Sequence, residues 1–239
     1  MHFAIIAAGL GSRLGSEGAP QPKPLVDIGG RPMIRRLIDI LASNGAESIA
    51  VITNPSMTAV TDCLRATASV LPVPLNVISA ETPGSMLSFH RLAPLLPRDS
   101  RFVLTTVDTV FDPVRFSRYV SDFAADTATD GYMAVTDYID DEKPLYISID
   151  PATGLIDGFS DTPVAGGQYI SAGIYGLTPK ALGVLDQCIG RGVSRMRDYQ
   201  RALLAAGLRL RPYPLGTVID VDHLTDLTKA RKVANSNVL

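Results

Sequence analysis

The amino-acid sequence predicts an α/β fold: a three-layer α/β/α arrangement whose mainly parallel central sheet carries a small β-rich insertion. Three features predict it. Short apolar strand candidates alternate with amphipathic helix candidates through the first half of the chain, which implies right-handed βαβ crossovers and a sheet covered on both faces. The first strand candidate is a continuous apolar run, as a strand buried on both sides should be. After about residue 130 the rhythm loosens into shorter strands around a turn.

The elements follow in order. Phe3-Ala4-Ile5-Ile6-Ala7 is a buried strand that stops at glycines. From Pro32 to Asn44 the spacing of Met33, Ile34, Leu37, Ile38 and Leu41 is helical, with Pro32 suited to the first turn and Gly45 placed to end it. Strands are expected at Ser48 to Thr53, Leu75 to Ser79 and Arg101 to Thr106, with helices at Thr58 to Ser69 and about Ser85 to Leu95. Tyr132 to Thr136 and Tyr146 to Ile149 read as strands, and Asp150-Pro151-Ala152-Thr153-Gly154 as a turn into Leu155 to Phe159. Gln168 to Leu177 is a strand, Pro179 to Cys188 and Ser194 to Ala206 are helices, Leu208 to Tyr213 is a strand, and Leu224 to Ala234 closes the chain as a helix. With no internal repeat, low-complexity tract or Gly/Ser linker, a single domain over residues 1–239 is expected.

Composition narrows the function. Hydrophobic residues make up 46% and charged residues 19% of the chain, the balance of a globular core rather than a disordered segment. With 22 basic against 24 acidic residues the net charge is -2, which argues against holding duplex nucleic acid by counterion release. Bound phosphate must therefore be held locally. Cys63 and Cys188 show no metal or redox spacing and read as reduced thiols of a cytoplasmic protein. No Lys or Arg precedes the short apolar stretch at the N-terminus, as a secretory signal would require, and no run approaches the ~18 apolar residues needed to cross a bilayer.

The first strand leads into Ala7-Ala8-Gly9-Leu10-Gly11-Ser12-Arg13-Leu14-Gly15, whose glycines let backbone N–H groups approach a polyphosphate. A dinucleotide-binding turn would begin a helix here, but Pro20, Pro22 and Pro24 fall where that helix would run, which disfavours a nicotinamide-dependent oxidoreductase. The Gly-Lys-Ser/Thr triplet of a P-loop is missing. The segment is thus expected to be a long, extended, ligand-facing loop, the alternative being a plain surface loop. Arg13 and Lys23 add a planar guanidinium and a point charge beside the amides, a combination suited to two or more phosphate groups.

The stretch from Ala7 to Leu14, continued by Pro22-Lys23-Pro24-Leu25-Val26-Asp27-Ile28-Gly29-Gly30-Arg31-Pro32-Met33-Ile34, closely resembles the opening of the sugar-phosphate nucleotidyltransferase, or nucleoside diphosphate sugar pyrophosphorylase, family. The likeness continues at Tyr169-Ile170-Ser171-Ala172-Gly173-Ile174-Tyr175, similar to the family's sugar-contacting strand, and at Ile219-Asp220-Val221-Asp222-His223-Leu224-Thr225-Asp226-Leu227, similar to its closing acidic motif. The resemblance implies a Rossmann-like, GT-A-type nucleotidyltransferase fold, an NTP substrate and Mg²⁺. It further implies NTP contacts from Ala8, Gly9, Gly11, Ser12, Arg13, Lys23, Gly84 and Ser85, and acceptor contacts from Tyr169 and Gly173.

Asp108 stands at the carboxyl end of a strand, where its oxygens can hold Mg²⁺ while the metal keeps waters and binds substrate phosphates. A helix or turn cap is the other reading of that aspartate; in the family it is a metal ligand, usually preceded by glycine, which Val107 replaces here. Asp220 and Asp222, two apart in an apparent strand, project from one face, and two like charges so placed call for a cation or hydrogen bonds. Metal coordination or capping of the helix near Leu224 would each satisfy them, and Asp220 is the first choice as ligand. The expected reaction is in-line attack of a phosphate monoester on the NTP α-phosphorus with departure of pyrophosphate. A monoester is largely dianionic at pH 7, its second pKa being about 6, so no general base is required. This agrees with a chain whose three histidines, His2, His90 and His223, form no nucleophile arrangement. Arg13, Lys23, Asp108 and Mg²⁺ would then act by positioning and charge neutralisation.

One motif departs from the family. The Glu-Lys-Pro whose lysine meets the acceptor phosphate follows the turn strand in many members, whereas Glu142-Lys143-Pro144 precedes the turn here and Ser160-Asp161-Thr162-Pro163-Val164 stands in the expected place. Three readings follow: a sugar 1-phosphate held differently, a catalytically silent nucleotide-sugar-binding or regulatory protein, or a cytidylyltransferase acting on phosphocholine, for which Tyr138, Tyr146 and Tyr169 would supply aromatic surface. Partners are an NTP and a small phosphorylated acceptor, with neither nucleic acid nor membrane; a homo-oligomer is compatible.

Overall fold

In the computed structural model, which describes residues 1–140 and 142–235, the four expected apolar runs form β1 (His2–Ala7), β2 (Ser48–Thr53), β3 (Leu75–Ser79) and β4 (Phe102–Thr106). They pair in parallel in the spatial order β4-β1-β2-β3. The sheet extends through β9 (Tyr169–Leu177), antiparallel to both β4 and β6 (Gly131–Thr136), to β10 (Leu210–Pro214), which pairs in parallel with β6. A hairpin of β7 (Tyr146–Ile149) and β8 (Ile156–Ser160), closed by the Asp150–Gly154 turn, attaches to the start of β9 and is the β-rich insertion. Separately, β5 (Thr109–Val110) and β11 (Ile219–Asp220) form a two-stranded ribbon.

Alternation along the strands sends side chains to two cores. Ala4 and Ile6 of β1 join the core beneath α4 (Ser85–Leu92), α6 (Lys180–Gly190) and α7 (Met196–Ala205), where Phe89, Leu185 and Tyr199 are buried. Phe3 and Ile5 face the opposite core with Ile34 and Leu37 of α2 (Met33–Ala42), Val60 and Leu64 of α3 (Thr58–Ala68) and Phe116 of α5 (Pro113–Ala125). This is the expected three-layer arrangement. The closing helix is α8 (Leu224–Asn235), and among the described residues no helix is long and apolar enough to cross a membrane.

Three local expectations need correction. The glycine loop is not wholly extended: Ser12–Ser16 form the short helix α1, and Lys23–Leu25 a 3₁₀ turn. The loop has room for little more than one helical turn before the prolines, with Gly11 entering α1 at φ 62°. The segment from 107 to 130 holds β5 and α5, which the sequence pattern did not predict. Finally, β11 stops at Asp220, so Asp222 lies beyond the strand; the N–H groups of Asp222 and His223 are bound by Asp226 Oδ2, at 3.1 and 2.7 Å, which turns the chain into α8.

Candidate active site

The carboxyl ends of β1 and β4 open onto two adjoining clefts, of about 830 and 480 Å³, as expected for an open α/β sheet. The smaller one is bordered by Ala8, Gly9, Gly11, Ser12, Arg13, Lys23, Gly84 and Ser85, so the structure brings together every residue expected to meet the NTP. Gly11 has two reasons to be glycine. Its φ of 62° favours a residue without Cβ, and a Cβ there would come within 2.6 Å of the Lys23 Cβ. Lys23 therefore packs directly beneath the loop. Leu14, 1% exposed, pins α1 into a small core shared with Ile28, Val110, Ile219 and Val221.

Lys23 is itself only 7% exposed, and its Nζ lies 2.6 Å from Asp108 Oδ2 and 2.6 Å from Asp222 Oδ1. Burial opposes the charged ammonium, but the Asp108 and Asp220 charges and the hydrogen bonds to Asp108 and Asp222 outweigh it and raise the lysine's pKa. Burial likewise works to raise the Asp222 carboxyl, and the bond and charge of Lys23, aided by Arg13 and His223, hold it below its usual value. Arg13 binds Asp222 as well and lies 3.6 Å from Glu142.

The backbone brings the three aspartates together: Val221 N–H donates to the Asp108 carbonyl at 3.1 Å, joining the two acidic segments across the β5–β11 ribbon. Asp108, Asp220 and Asp222 offer oxygens that all lie within 4.8 Å of one another. These are hard oxygen donors suited to Mg²⁺, and the ammonium seated between two of them shows that a cation is accommodated there. The set fits the ion. Val107 does not block this approach, because its side chain is taken into the core with Phe111 while the residue still borders the smaller cleft.

The larger cleft contains Gly173 but not Tyr169. Opposite Met133 and Val135 of β6 the strand β9 shifts register, a bulge that turns the Ser171–Gly173 segment toward the cleft. At φ 73°, a Cβ on Gly173 would meet the Thr109 and Thr106 hydroxyls at 3.0 and 3.2 Å. Tyr169 instead pairs with Ile147 and packs against the core under α7. Of the three tyrosines weighed for an aromatic cage, Tyr138 borders the cleft while Tyr146 and Tyr169 do not, so the cage is not assembled.

Several residues at the site went unpredicted. Glu142 and Lys143, out of place in sequence, nevertheless border the larger cleft. So do Arg195 and Arg197 at the start of α7, and Gln200 one turn further on. Cations at a helix N-terminus run against the macrodipole, a signal the sequence did contain. Asn54, just past β2, borders the smaller cleft. His223 is no bystander either: it bonds to Glu17, lies 3.4 Å from Glu142, and has its pKa raised first of all by the Glu17 bond. Glu17 Oε2 also accepts the Leu224 N–H at 2.7 Å, tying α1 to the start of α8. By contrast His2 faces Ser48 and Glu47, and His90 faces Asp186.

A sequence profile of the MobA-like NTP transferase domain matches residues 3–169. A mannose-1-phosphate guanyltransferase of Kluyveromyces lactis is 29% identical over 191 residues, 78% of this chain and 52% of that protein, so the chain spans about half the length of the curated relatives it matches. Among solved structures, a candidate glucose-1-phosphate thymidylyltransferase from Bacillus anthracis superposes with a TM-score of 0.84 at 20% identity, covering 100% of this chain and 97% of that one. The inositol-1-phosphate CTP transferase from T. maritima does so with a TM-score of 0.80 at 16% identity, with the same two coverages. These two likenesses show the fold.

Proposed function

Since the chain belongs to the MobA-like NTP transferase family, we propose that it is a nucleotidyltransferase that moves NMP from an NTP to a sugar 1-phosphate, giving an NDP-sugar and pyrophosphate. The observation that carries this reading is the Lys23 ammonium clasped between Asp108 and Asp222 directly under the glycine loop. It sets a buried cation and a metal-competent carboxylate group where the triphosphate must lie. The residues form one nucleotidyltransferase domain, acting in the cytoplasm, where NTPs are available.

A nonbridging oxygen of the acceptor's phosphate attacks the α-phosphorus. The bond from that phosphorus to the oxygen bridging toward the β-phosphate breaks, and its electrons leave with pyrophosphate. No proton need be removed from a dianionic monoester. Backbone N–H groups from Ala8 to Ser12 hold the phosphates, and Arg13 and Lys23 neutralise charge building on the leaving group. Gly84 and Ser85, at the start of α4, border both clefts and stand beside the base and the reacting centre. Asp108 and Asp220, with Asp222, would hold Mg²⁺, which when bound supplies charge neutralisation for the phosphate oxygens. Arg195 and Lys143, on the larger cleft, are the cations placed to receive the acceptor phosphate in place of the lysine that the family carries after the turn. Gly173 lets the acceptor approach the Thr106–Thr109 hydroxyl pair closely.

Pyrophosphate release tests the reading. Purified protein with Mg²⁺ and each NTP in turn, given a pool of sugar 1-phosphates and phosphocholine, should release pyrophosphate only with one base and the pool present. Silence across the panel with nucleotide-sugar binding intact would identify a non-catalytic binder instead, and release with phosphocholine alone would identify the cytidylyltransferase reading.

A further inference from the structure

Gln200 is a neutral polar side chain, 3% exposed, whose residue nevertheless borders the larger cleft from α7. A primary amide offers two N–H donors and an oxygen with two acceptor sites. Its Oε1 accepts from the Ser171 hydroxyl at 3.0 Å, whereas its Nε2 donates to none of the described residues and is not sealed from solvent. Ser171 is fixed in turn, since its backbone N–H donates to the Leu145 carbonyl at 2.9 Å. Tyr175, which borders the same cleft and whose phenol burial pushes up to about 12, feels the charges of Asp220 and Asp108. The amide and hydroxyl therefore sit beside the proposed reacting centre, on the acceptor side.

We infer that the Ser171–Gln200 pair reads a hydroxyl group of the acceptor and so selects a polyhydroxylated phosphate over an alkylammonium phosphate. The chemistry is complementary. A ligand hydroxyl can accept from Gln200 Nε2 and donate to the remaining lone pair of Ser171 Oγ, so that every polar atom is satisfied. A trimethylammonium group has neither a donor nor an acceptor, and would seat methyl groups against a buried N–H left without a partner. Gln200 is thus a specificity residue. The inference rests on the reading of the chain as a nucleotidyltransferase and narrows its acceptor class.

The test compares wild type with Gln200→Leu, which removes the amide at similar volume, and Ser171→Ala, using the sugar 1-phosphate that turns over and its series of single-deoxy analogues. Wild type should prefer the hydroxylated acceptor over one of the deoxy analogues by about 10- to 100-fold in kcat/KM. Both variants should lose most of that preference through a raised acceptor KM, with the KM for NTP unchanged and circular-dichroism melts showing folded protein. Ser171→Ala carries the test should Gln200→Leu fail to fold. Folded variants that keep the discrimination would overturn the inference. If wild type releases no pyrophosphate, the enzymatic reading fails, and the pocket is examined by ligand-observed NMR. Glucose 1-phosphate displaced on Gln200→Leu would uphold the pair's role, and phosphocholine binding wild type equally well would refute it.

Discussion

Two regions of the molecule contrast sharply, the aromatic core under α5 and the charged rim of the cleft. Under α5 the rings of Phe111, Phe116, Tyr119 and Phe123 run in series, with Phe111 and Phe116 stacked at 4.7 Å between centroids and the Tyr119 hydroxyl donating to the Tyr132 carbonyl at 2.9 Å. Nothing there titrates usefully: burial pushes the Tyr119 phenol far above its ordinary value. At the rim, Lys23, Arg13, Asp108, Asp222 and Glu142 hold one another in place by charge. Apolar packing gains from being buried, whereas paired charges give back in desolvation much of what they gain in attraction. The core should accordingly set stability and the rim activity.

The largest expected effect is at the rim. Asp108→Ala should lower turnover by about 10³-fold, the scale seen when one electrostatic element of a transition-state site is removed. The urea midpoint should move little, because Lys23 keeps Asp222 as a partner. A large fall in stability with turnover retained would place Asp108 with the structural ion pairs and break the division. Phe116→Ala should show the reverse. Its ring is fully buried between Phe3, Phe111 and Tyr119, so truncation should cost about 3–5 kcal/mol in denaturant unfolding. Activity per folded molecule should be kept.

Gly176→Ala sharpens the same contrast from the strand side. A Cβ at Gly176 would lie 2.8 Å from the Tyr119 hydroxyl and 2.9 Å from Phe123 Cδ1. Overpacking of this kind costs about 1–3 kcal/mol. The thermal midpoint should fall, and the KM for each substrate should stay put, since Gly176 borders neither cleft.

The same division governs what the sequence discloses. β1 to β4 were legible because an apolar run bounded by turn residues is a local signal, as were the glycine loop after β1, Lys23 among the prolines that follow it, and Asp108 just past β4. α5 was not, although Asp112 caps it through the Val114 N–H at 2.8 Å and Pro113 opens it. Phe116, Tyr119, Val120 and Phe123 are spaced for one helical face, but Phe, Tyr and Val favour strands, and it is packing against β6 and β9 that decides for helix. Gln200 was illegible for a different reason. Which face of α7 meets the cleft depends on how a helix crosses a sheet, and no pattern within α7 encodes that. Asp222 shows a third case: its place beyond β11 follows from the turn that Asp226 organises four residues later.

The smallest effect concerns a carboxylate–ammonium pair at the opposite end of the sheet. Asp130 precedes β6, away from both clefts, and accepts from Lys180 Nζ at 2.8 Å and from the Arg209 N–H at 2.9 Å. Burial works to raise its pKa, and these two partners outweigh that and hold it below the usual carboxylate value. The folded pKa is thus lower than the unfolded one, so the stabilisation is complete above the unfolded value of about 3.9 and is lost as pH falls through the folded value. Because Lys180 is largely exposed, the whole effect should be about 1 kcal/mol or less. Asp130→Asn should therefore lower the unfolding free energy slightly at neutral pH and flatten its fall below about pH 4, while pyrophosphate release at neutral pH stays at the wild-type rate. Turnover that changed with this substitution would mean that the Asp130–Lys180 pair is coupled through the sheet to the charged rim of the cleft, and the separation between a structural and a chemical region would have to be redrawn.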